Sequence, residues 1–280
     1  MSVKNFHLHL VSDATGETVI TVARGAVAQF SDVEAIEHLW SLVRSKDQLK
    51  RVLASVAANP GVVMFTLVDQ ELRHALQEGC RELDIPCIPL LDMVIATLSQ
   101  YLGVESQNLP GSQHVMDAHY LGRIDAMNFT LQHDDGQAIG SLEGADIVLV
   151  GVSRSSKTPT SIYLANRGFK TANLPIVPES PPARHLFDLK NPMIVGLTTS
   201  ADRLIQVRRN RLIDLNEGRE TDYVDQDSVR QEIAFARRMF ADKGWPVIDV
   251  TRRSIEETAA AVINLVNERQ SGLSKGNTGP

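Results

Sequence analysis

Only two cysteines occur in the 280 residues, Cys80 and Cys87. Their separation matches neither a metal-binding nor a redox spacing, and two thiols cannot staple a chain of this length. A disulfide scaffold is therefore excluded, and a reduced intracellular setting is expected. Long apolar runs are missing as well. No stretch approaches the length needed to span a bilayer, which argues against a membrane role. The segment Phe6-His7-Leu8-His9-Leu10-Val11 alternates instead of forming the apolar core of a secretory signal. Together these absences predict a cytoplasmic protein. Nor is there an excess of positive charge: the formal net charge is -6 and the pI about 5.8, which argues against a general nucleic-acid binder. No internal repeat is visible.

What remains is a chain that can fold around a sizeable core, with 43% hydrophobic and 22% charged residues over a length that allows one large domain or two smaller ones. Phe6 to Val11 reads as a strand, followed by the polar turn Ser12-Asp13-Ala14-Thr15-Gly16-Glu17-Thr18 and a helical pattern through Val19, Val22, Ala26 and Phe30. Val62 to Val68 is a second buried-type strand, Glu71 to Leu83 has helical period, and Pro86 to Leu90 is a short extended piece. Between Gly103 and Gly144 no strand is clear, and a domain boundary is expected there. A second βα unit opens with the apolar strand Ala145 to Val150 and turns through Gly151 to Thr158. A helix follows, with Pro159 in its first turn and an end near Gly168. Ala172 to Val177, Met193 to Leu197 and Val247 to Val250 are further strands. Ser254 with Glu257 forms a capping box that opens a helix over 255–266.

The predicted fold class is thus α/β, an N-terminal parallel-type βα domain followed by a P-loop kinase-like α/β domain. The expected bounds are 1–140 for the first domain, 141–270 for the nucleotide-binding domain and 271–280 for a disordered tail.

The segment Gly151-Val152-Ser153-Arg154-Ser155-Ser156-Lys157-Thr158 carries the clearest chemistry. A phosphate loop works because successive backbone N–H groups surround phosphate oxygens while the following helix adds the positive end of its dipole. A lysine, here Lys157, reaches the terminal phosphates, and a hydroxyl, here Thr158, coordinates magnesium. One position departs from G-x-x-x-x-G-K-[ST]: Ser156 stands where a second glycine is usual, and a positive φ there would strain it by roughly 1 kcal/mol. The plain alternative is a polar turn joining strand to helix. Arg154 adds a second cation, suited to a polyphosphate or to transition-state charge, unless it only bridges to a surface carboxylate. Asp249, ending a strand, is a candidate carboxylate for the magnesium, and Asp69 holds a similar position in the first half.

The stretch from Gly151 to Ala165 closely resembles the regulatory proteins of pyruvate, phosphate dikinase and of phosphoenolpyruvate synthase, the kinase–pyrophosphorylases. The resemblance extends to Ser12 through Thr18, Thr130 through Gly136, Asn166 through Asn173 and Trp245 through Thr258, nearly end to end. In that family the loop accepts Ser or Gly at the position of Ser156. The Asn166-Arg167-Gly168 and Ser12 to Thr18 segments look more like the dikinase branch.

The resemblance implies two activities. One transfers a phosphoryl group from ADP to a threonine of the dikinase and inactivates it. The other uses inorganic phosphate to remove that group and releases pyrophosphate. Magnesium is expected, the partner is pyruvate, phosphate dikinase with phosphoenolpyruvate synthase as the alternative, and a homo-oligomer is compatible with the sequence. Lys157, Arg154 and the loop amides would neutralise the transferring group. His133, Asp134 and Asp135 are the first candidates for the base, a histidine beside two carboxylates in a loop; the plain reading is a solvated turn. Ser12, Asp13 and Thr15 would hold a phosphate or dock the partner, or Ser12 or Asp13 would simply cap a helix. Arg208, Arg209 and Arg211 would recognise a phosphoprotein or, on the plainer reading, form a solvated helix face, and His7 with His9 read as one side of a strand. Two other readings use the same loop: a small-molecule kinase, and a nucleotide sensor that transfers nothing.

Overall fold

The structure is a computed structural model, and it describes residues 3–112, 118–178, 184–214 and 223–276. The chain divides into two compact units, Met1–Val115 and Met116–Pro280.

In the first unit, β1 (Lys4–Ser12), β2 (Val33–Trp40), β3 (Gly61–Thr66) and β4 (Cys87–Pro89) form a parallel sheet in the order β2-β1-β3-β4. Alternation along β1 and β3 sends side chains to two cores. Val11, Val63 and Phe65 meet Leu49, Val52 and Val56 of α2 (Lys46–Ala58), and Leu72 and Leu76 of α3 (Gln70–Glu82). Leu8, Leu10 and Met64 meet Val19 and Ala23 of α1 (Glu17–Val27) on the other face. α4 (Asp92–Leu102) follows β4. The strands and helices expected from periodicity are present. β2, α2 and α4 are additions.

The second unit repeats the plan. β5 (Ile147–Gly151), β6 (Thr171–Pro175), β7 (Met193–Thr198) and β8 (Val247–Asp249) are parallel in the order β6-β5-β7-β8. β5 is apolar throughout because both its faces are covered. Val148 and Val150 pack with Val229, Ile233, Ala236 and Phe240 of a long helix over 226–243, while Ile147 and Leu149 pack with Leu164, Ala259 and Val262. The helices are α5 (Ala118–Gln132), α6 (Lys157–Asn166), α7 (His185–Asp188), α8 (Ala201–Asp214), α9 (Gln226–Lys243) and α10 (Ile255–Gly276). The α/β class with parallel sheets in both halves stands as expected.

β5 and β7 are neighbours whose outgoing connections run to opposite sides, β5 to β6 and β7 to β8, so they diverge at the C-terminal ends of this pair. Doubly wound sheets open their ligand crevice at such a switch point, and Gly151 to Thr158 sits there. β7 approaches α9 closely. A Cβ on Gly196 would stand 2.6 Å from the Phe240 ring, which is itself fully buried. Gly196→Ala is therefore expected to destabilise the second unit by about 2 kcal/mol, the usual scale of overpacking, read as an earlier urea midpoint with unchanged slope.

Two boundaries differ from the sequence expectation. The stretch 118–140, assigned above to the first domain, belongs to the second unit. Thr130 Oγ1 accepts from the Thr171 amide at 3.1 Å, and Asn173 Oδ1 accepts from the Asp135 amide at 3.1 Å. The inward stripe of α5 and the turn after it is Ala126, Thr130 and His133, while Leu121, Ile124 and Leu131 face outward. A small, polar buried face leaves no amphipathic signal to read. At the other end, 271–276, expected as disordered tail, continues α10; residues 277–280 lie outside the described residues.

Candidate functional site

Steric necessity sets the first residue of the loop. A Cβ on Gly151 would stand 2.6 Å from the Leu197 carbonyl oxygen and 2.7 Å from Ser155 Oγ. Arg154 and Ser156 both take the left-handed conformation, at φ 68° and 61°. Ser156 is therefore the strained position anticipated from the missing glycine. It is also the residue from which α6 starts, and no side chain caps that helix. Its first-turn N–H groups face the loop without an internal acceptor, the arrangement that attracts anions.

Lys157 is 5% exposed and lies folded over the loop, its Nζ donating to the Val152 carbonyl at 2.9 Å. Ser155 Oγ donates to the same carbonyl at 2.8 Å. Burial pushes the Lys157 ammonium down to about 8; Asp135 and then Asp134 oppose this, while Arg208 and Arg154 add to it. Thr158 Oγ1 donates to Asp134 Oδ1 at 2.9 Å, and the same oxygen accepts from Asn173 Nδ2 at 2.6 Å. Asn173, on the neighbouring strand β6, thus grips the 134–135 turn from two sides through its amide nitrogen and oxygen. Asp135 itself is exposed at φ 50°. Its carboxylate makes no hydrogen bond or ion pair among the described residues, yet it acts on Lys157 more strongly than any other charge does.

The three base candidates are consequently separated. Asp134 and Asp135 adjoin the loop. His133 is buried, with Nδ1 on the Phe129 carbonyl and Nε2 on Ser141 Oγ, both at 2.7 Å, and its ring stacked on Phe129. Both nitrogens are occupied within the scaffold, so His133 braces the turn that its neighbours work from.

Arg208 was read above as one of a solvated row, and here the structure corrects that reading. Arg208 is 1% exposed and forms a two-pronged pair with Glu232, at 2.6 and 3.0 Å. It also donates to the Tyr223 carbonyl at 3.0 Å and the Ser153 carbonyl at 3.4 Å, and its guanidinium lies 4.4 Å over the Tyr223 ring. It therefore ties α8 and α9 to the loop. Arg209 and Arg211 are exposed.

Asp249 Oδ1 accepts from the amide and hydroxyl of Thr251, at 2.9 and 2.5 Å, and Oδ2 lies 3.8 Å from Arg237. Burial works against its charge, but the Thr251 donors with Arg237 and Arg253 hold its carboxyl below the usual range. Among the described residues no hydrogen bond joins it to Thr158, and no group of three His, Cys, Asp or Glu side chains is arranged for a metal.

In the first unit, Asp69 caps α3 through the Leu72 amide at 2.9 Å. Ser12 and Asp13 do not cap α1, whose N-cap is Gly16 with no side-chain bond. They cross instead to the end of β3. Thr66 Oγ1 donates to Ser12 Oγ at 3.0 Å, and the Val68 amide donates to Asp13 at 2.7 Å. Burial raises Asp13, the Val68 amide partly offsetting it.

Asn173 was not singled out from sequence, although it left a trace as an amide inside a buried strand. Arg208 was named only as one of a row of arginines, and nothing local marked it as the buried member.

Comparison with known proteins places the chain in a family. A model of the kinase/pyrophosphorylase family matches residues 8–263. A protein of Sphingopyxis alaskensis is 61% identical over 269 residues, 96% of this chain and 100% of the relative. One of Erythrobacter litoralis is 56% identical over 98% of this chain and 99% of its own length. One of Caulobacter vibrioides is 58% identical over 94% of this chain and 83% of its own. All three carry the provisional name of pyruvate, phosphate dikinase regulatory protein. With a strand, a loop and a helix shaped around one lysine, and with likeness running nearly end to end, the chain belongs to the kinase/pyrophosphorylase family.

Proposed function

We propose that this protein phosphorylates a threonine of pyruvate, phosphate dikinase with ADP as donor, and removes that group with inorganic phosphate, releasing pyrophosphate. The names of its relatives supply the target. The observation that carries the chemistry is the linked set Lys157, Thr158, Asp134, Asn173 and Asp135 around one loop.

In this reading the loop from Gly151 to Thr158 cradles the ADP phosphates, with its amides and the start of α6 aimed at the oxygens. Lys157, released from the Val152 carbonyl, pairs with the β-phosphate, which is the group transferred. Arg154 lies on the exposed side of the loop, where it meets charge that develops on the equatorial oxygens. Magnesium fits the Thr158 hydroxyl, which gives its proton to Asp134 and so leaves its lone pairs for a hard cation. When bound there, the ion neutralises phosphate charge. Asp134, locked by Asn173, positions that hydroxyl. Asp135, exposed and unpaired, takes the proton of the incoming threonine. His133 holds the turn in place.

The test uses ADP labelled in its β-phosphate, with the intact protein or with Asp135→Asn, and the dikinase in its phosphohistidine form. Label is expected on a dikinase threonine, slowed by roughly 10²–10⁴ in the variant, the range lost with a general base. Label on phosphoenolpyruvate synthase alone would move the target to that enzyme. Label on neither, with nucleotide bound, would leave a sensor.

A further inference from the structure

Against the phosphate loop lies a cavity of about 320 Å³, of whose lining the chemistry above uses only the loop residues. Arg154 and Ser156 of the loop form one wall. Arg203, from the first turn of α8, and Thr251, Arg252 and Arg253, between β8 and α10, form the others. In a protein of net charge -6, four arginines line one space whose lining, among the described residues, contains no aspartate or glutamate. None of the four belongs to an ion pair among the described residues. Asp249, the acid nearest to Arg253 in effect, is already held by Thr251 and Arg237.

All four side chains are exposed, so water screens their repulsion, but an anion seated among them would meet several N–H donors at once. Guanidinium forks match phosphate oxygens two at a time. No aromatic side chain lines the cavity, so it offers a nucleobase no stacking surface. The occupant is therefore a compact oxyanion without a ring. The position matters equally: Arg154 and Ser156 belong at once to this cavity and to the loop, so an anion here abuts whatever the loop holds.

We infer that this arginine cleft is a separate subsite for inorganic phosphate, distinct from the loop that holds the nucleotide. The assignment of its role rests on the proposed function. There, phosphate held by Arg203, Arg252 and Arg253 attacks the phosphorus of a phosphothreonine seated at the loop. The new bond joins a phosphate oxygen to that phosphorus, and the bond from phosphorus to the threonine oxygen breaks. The proton of hydrogenphosphate passes to the threonine oxygen, giving threonine and pyrophosphate with charge conserved. Pyrophosphate then spans the cleft and the loop, with Arg154 between its two halves.

The experiment is calorimetric titration of inorganic phosphate into the full chain, first alone and then with ADP saturating, for the intact protein and for the double variant Arg203→Ala/Arg252→Ala. One phosphate is expected to bind the ADP-loaded protein, at least tenfold more weakly in the double variant, with ADP affinity within twofold of the intact protein. Arg203→Lys/Arg252→Lys should fall between the two, since lysine keeps the charge but loses the fork. Phosphate displaced by ADP one for one, or bound equally by all three proteins, would overturn the separate subsite. If ADP fails to bind at all, the proposed function falls; phosphate binding lost in the double variant would still establish the cleft.

Discussion

Replacing Lys157 by methionine is expected to lower phosphoryl transfer by roughly 10³ while making the nucleotide-free protein more stable. The first effect follows from removing a preorganised cation at the transferring group, for which a loss of 10²–10³ is usual. The second follows from burial. Lys157 is 5% exposed, and its ammonium titrates at about 8 instead of the ordinary 10.5. Between those values the unfolded chain still holds a proton that the folded protein has released, so stability rises with pH across that window. Below about pH 8 the full penalty of the buried charge is present, about 3 kcal/mol. Methionine keeps the length of the side chain and removes that penalty. It also removes one donor from the Val152 carbonyl, which offsets about 1 kcal/mol. A net gain of about 2 kcal/mol at pH 7 raises the midpoint of the second unit by roughly 4–8 °C. The same substitution should flatten the dependence of stability on pH between 8 and 10.5. Scanning calorimetry of both proteins at pH 7 and pH 10 reads both effects. A variant no more stable at pH 7 than the parent would show that the folded loop carries no uncompensated lysine charge.

The second large effect is expected at Glu232. Its carboxylate is the only acid paired to Arg208 among the described residues, and Arg208 is 1% exposed. Glu232→Ala leaves a guanidinium buried without its counter-charge, a change that usually costs 3–5 kcal/mol. Two carbonyls, of Tyr223 and Ser153, and the Tyr223 ring remain to hold it, so about 3 kcal/mol is the expected loss. Chemical denaturation gives this directly. The double replacement Arg208→Met/Glu232→Leu separates stability from positioning. It removes both charges and keeps apolar volume, so most of the lost stability should return. Affinity for ADP should not return with it, because the Ser153 carbonyl has lost the tie that fixes the loop to α8 and α9. Recovery of both would show that Arg208 is a packing element and does not position the loop.

How much was legible in advance depended on whether the signal was local. The strands β1, β3, β5, β6 and β7 and the helices α1, α3 and α6 each bury side chains in a repeating pattern, and a pattern of period two or 3.6 is written along the chain itself. The capping box of Ser254 and Glu257 forms as read, with bonds of 2.8 and 3.1 Å. The loop was legible for the same reason: eight consecutive residues between a buried strand and a helix. β2 was not, because it is an edge strand with a mixed polar sequence, VEAIEHLW. α5 was not, because its inward face carries alanine and threonine, continued by a histidine in the turn after it.

The sequence by itself determined two parallel α/β halves, a glycine-started loop with Lys157 and Thr158 between a buried strand and a helix, and an adjacent pair of aspartates some twenty residues earlier. Only the tertiary structure decided where each of these stands. It set Asn173 of β6 across the turn so that the Asp134 carboxylate is bonded while that of Asp135 has no partner among the described residues, although they are adjacent and chemically alike. It occupied both nitrogens of His133 inside the scaffold. It took one arginine from an apparently solvated row and buried it under the loop, and it gathered four others, from three separate segments, around one cavity. The physical reason is common to most of these. The bonds that Arg208 makes join residues 15 to 55 positions apart, Asn173 reaches Asp134 across 39 positions, and the arginines of the cavity span 99. No local pattern encodes such pairs; the sheet order and the crossing of helices create them.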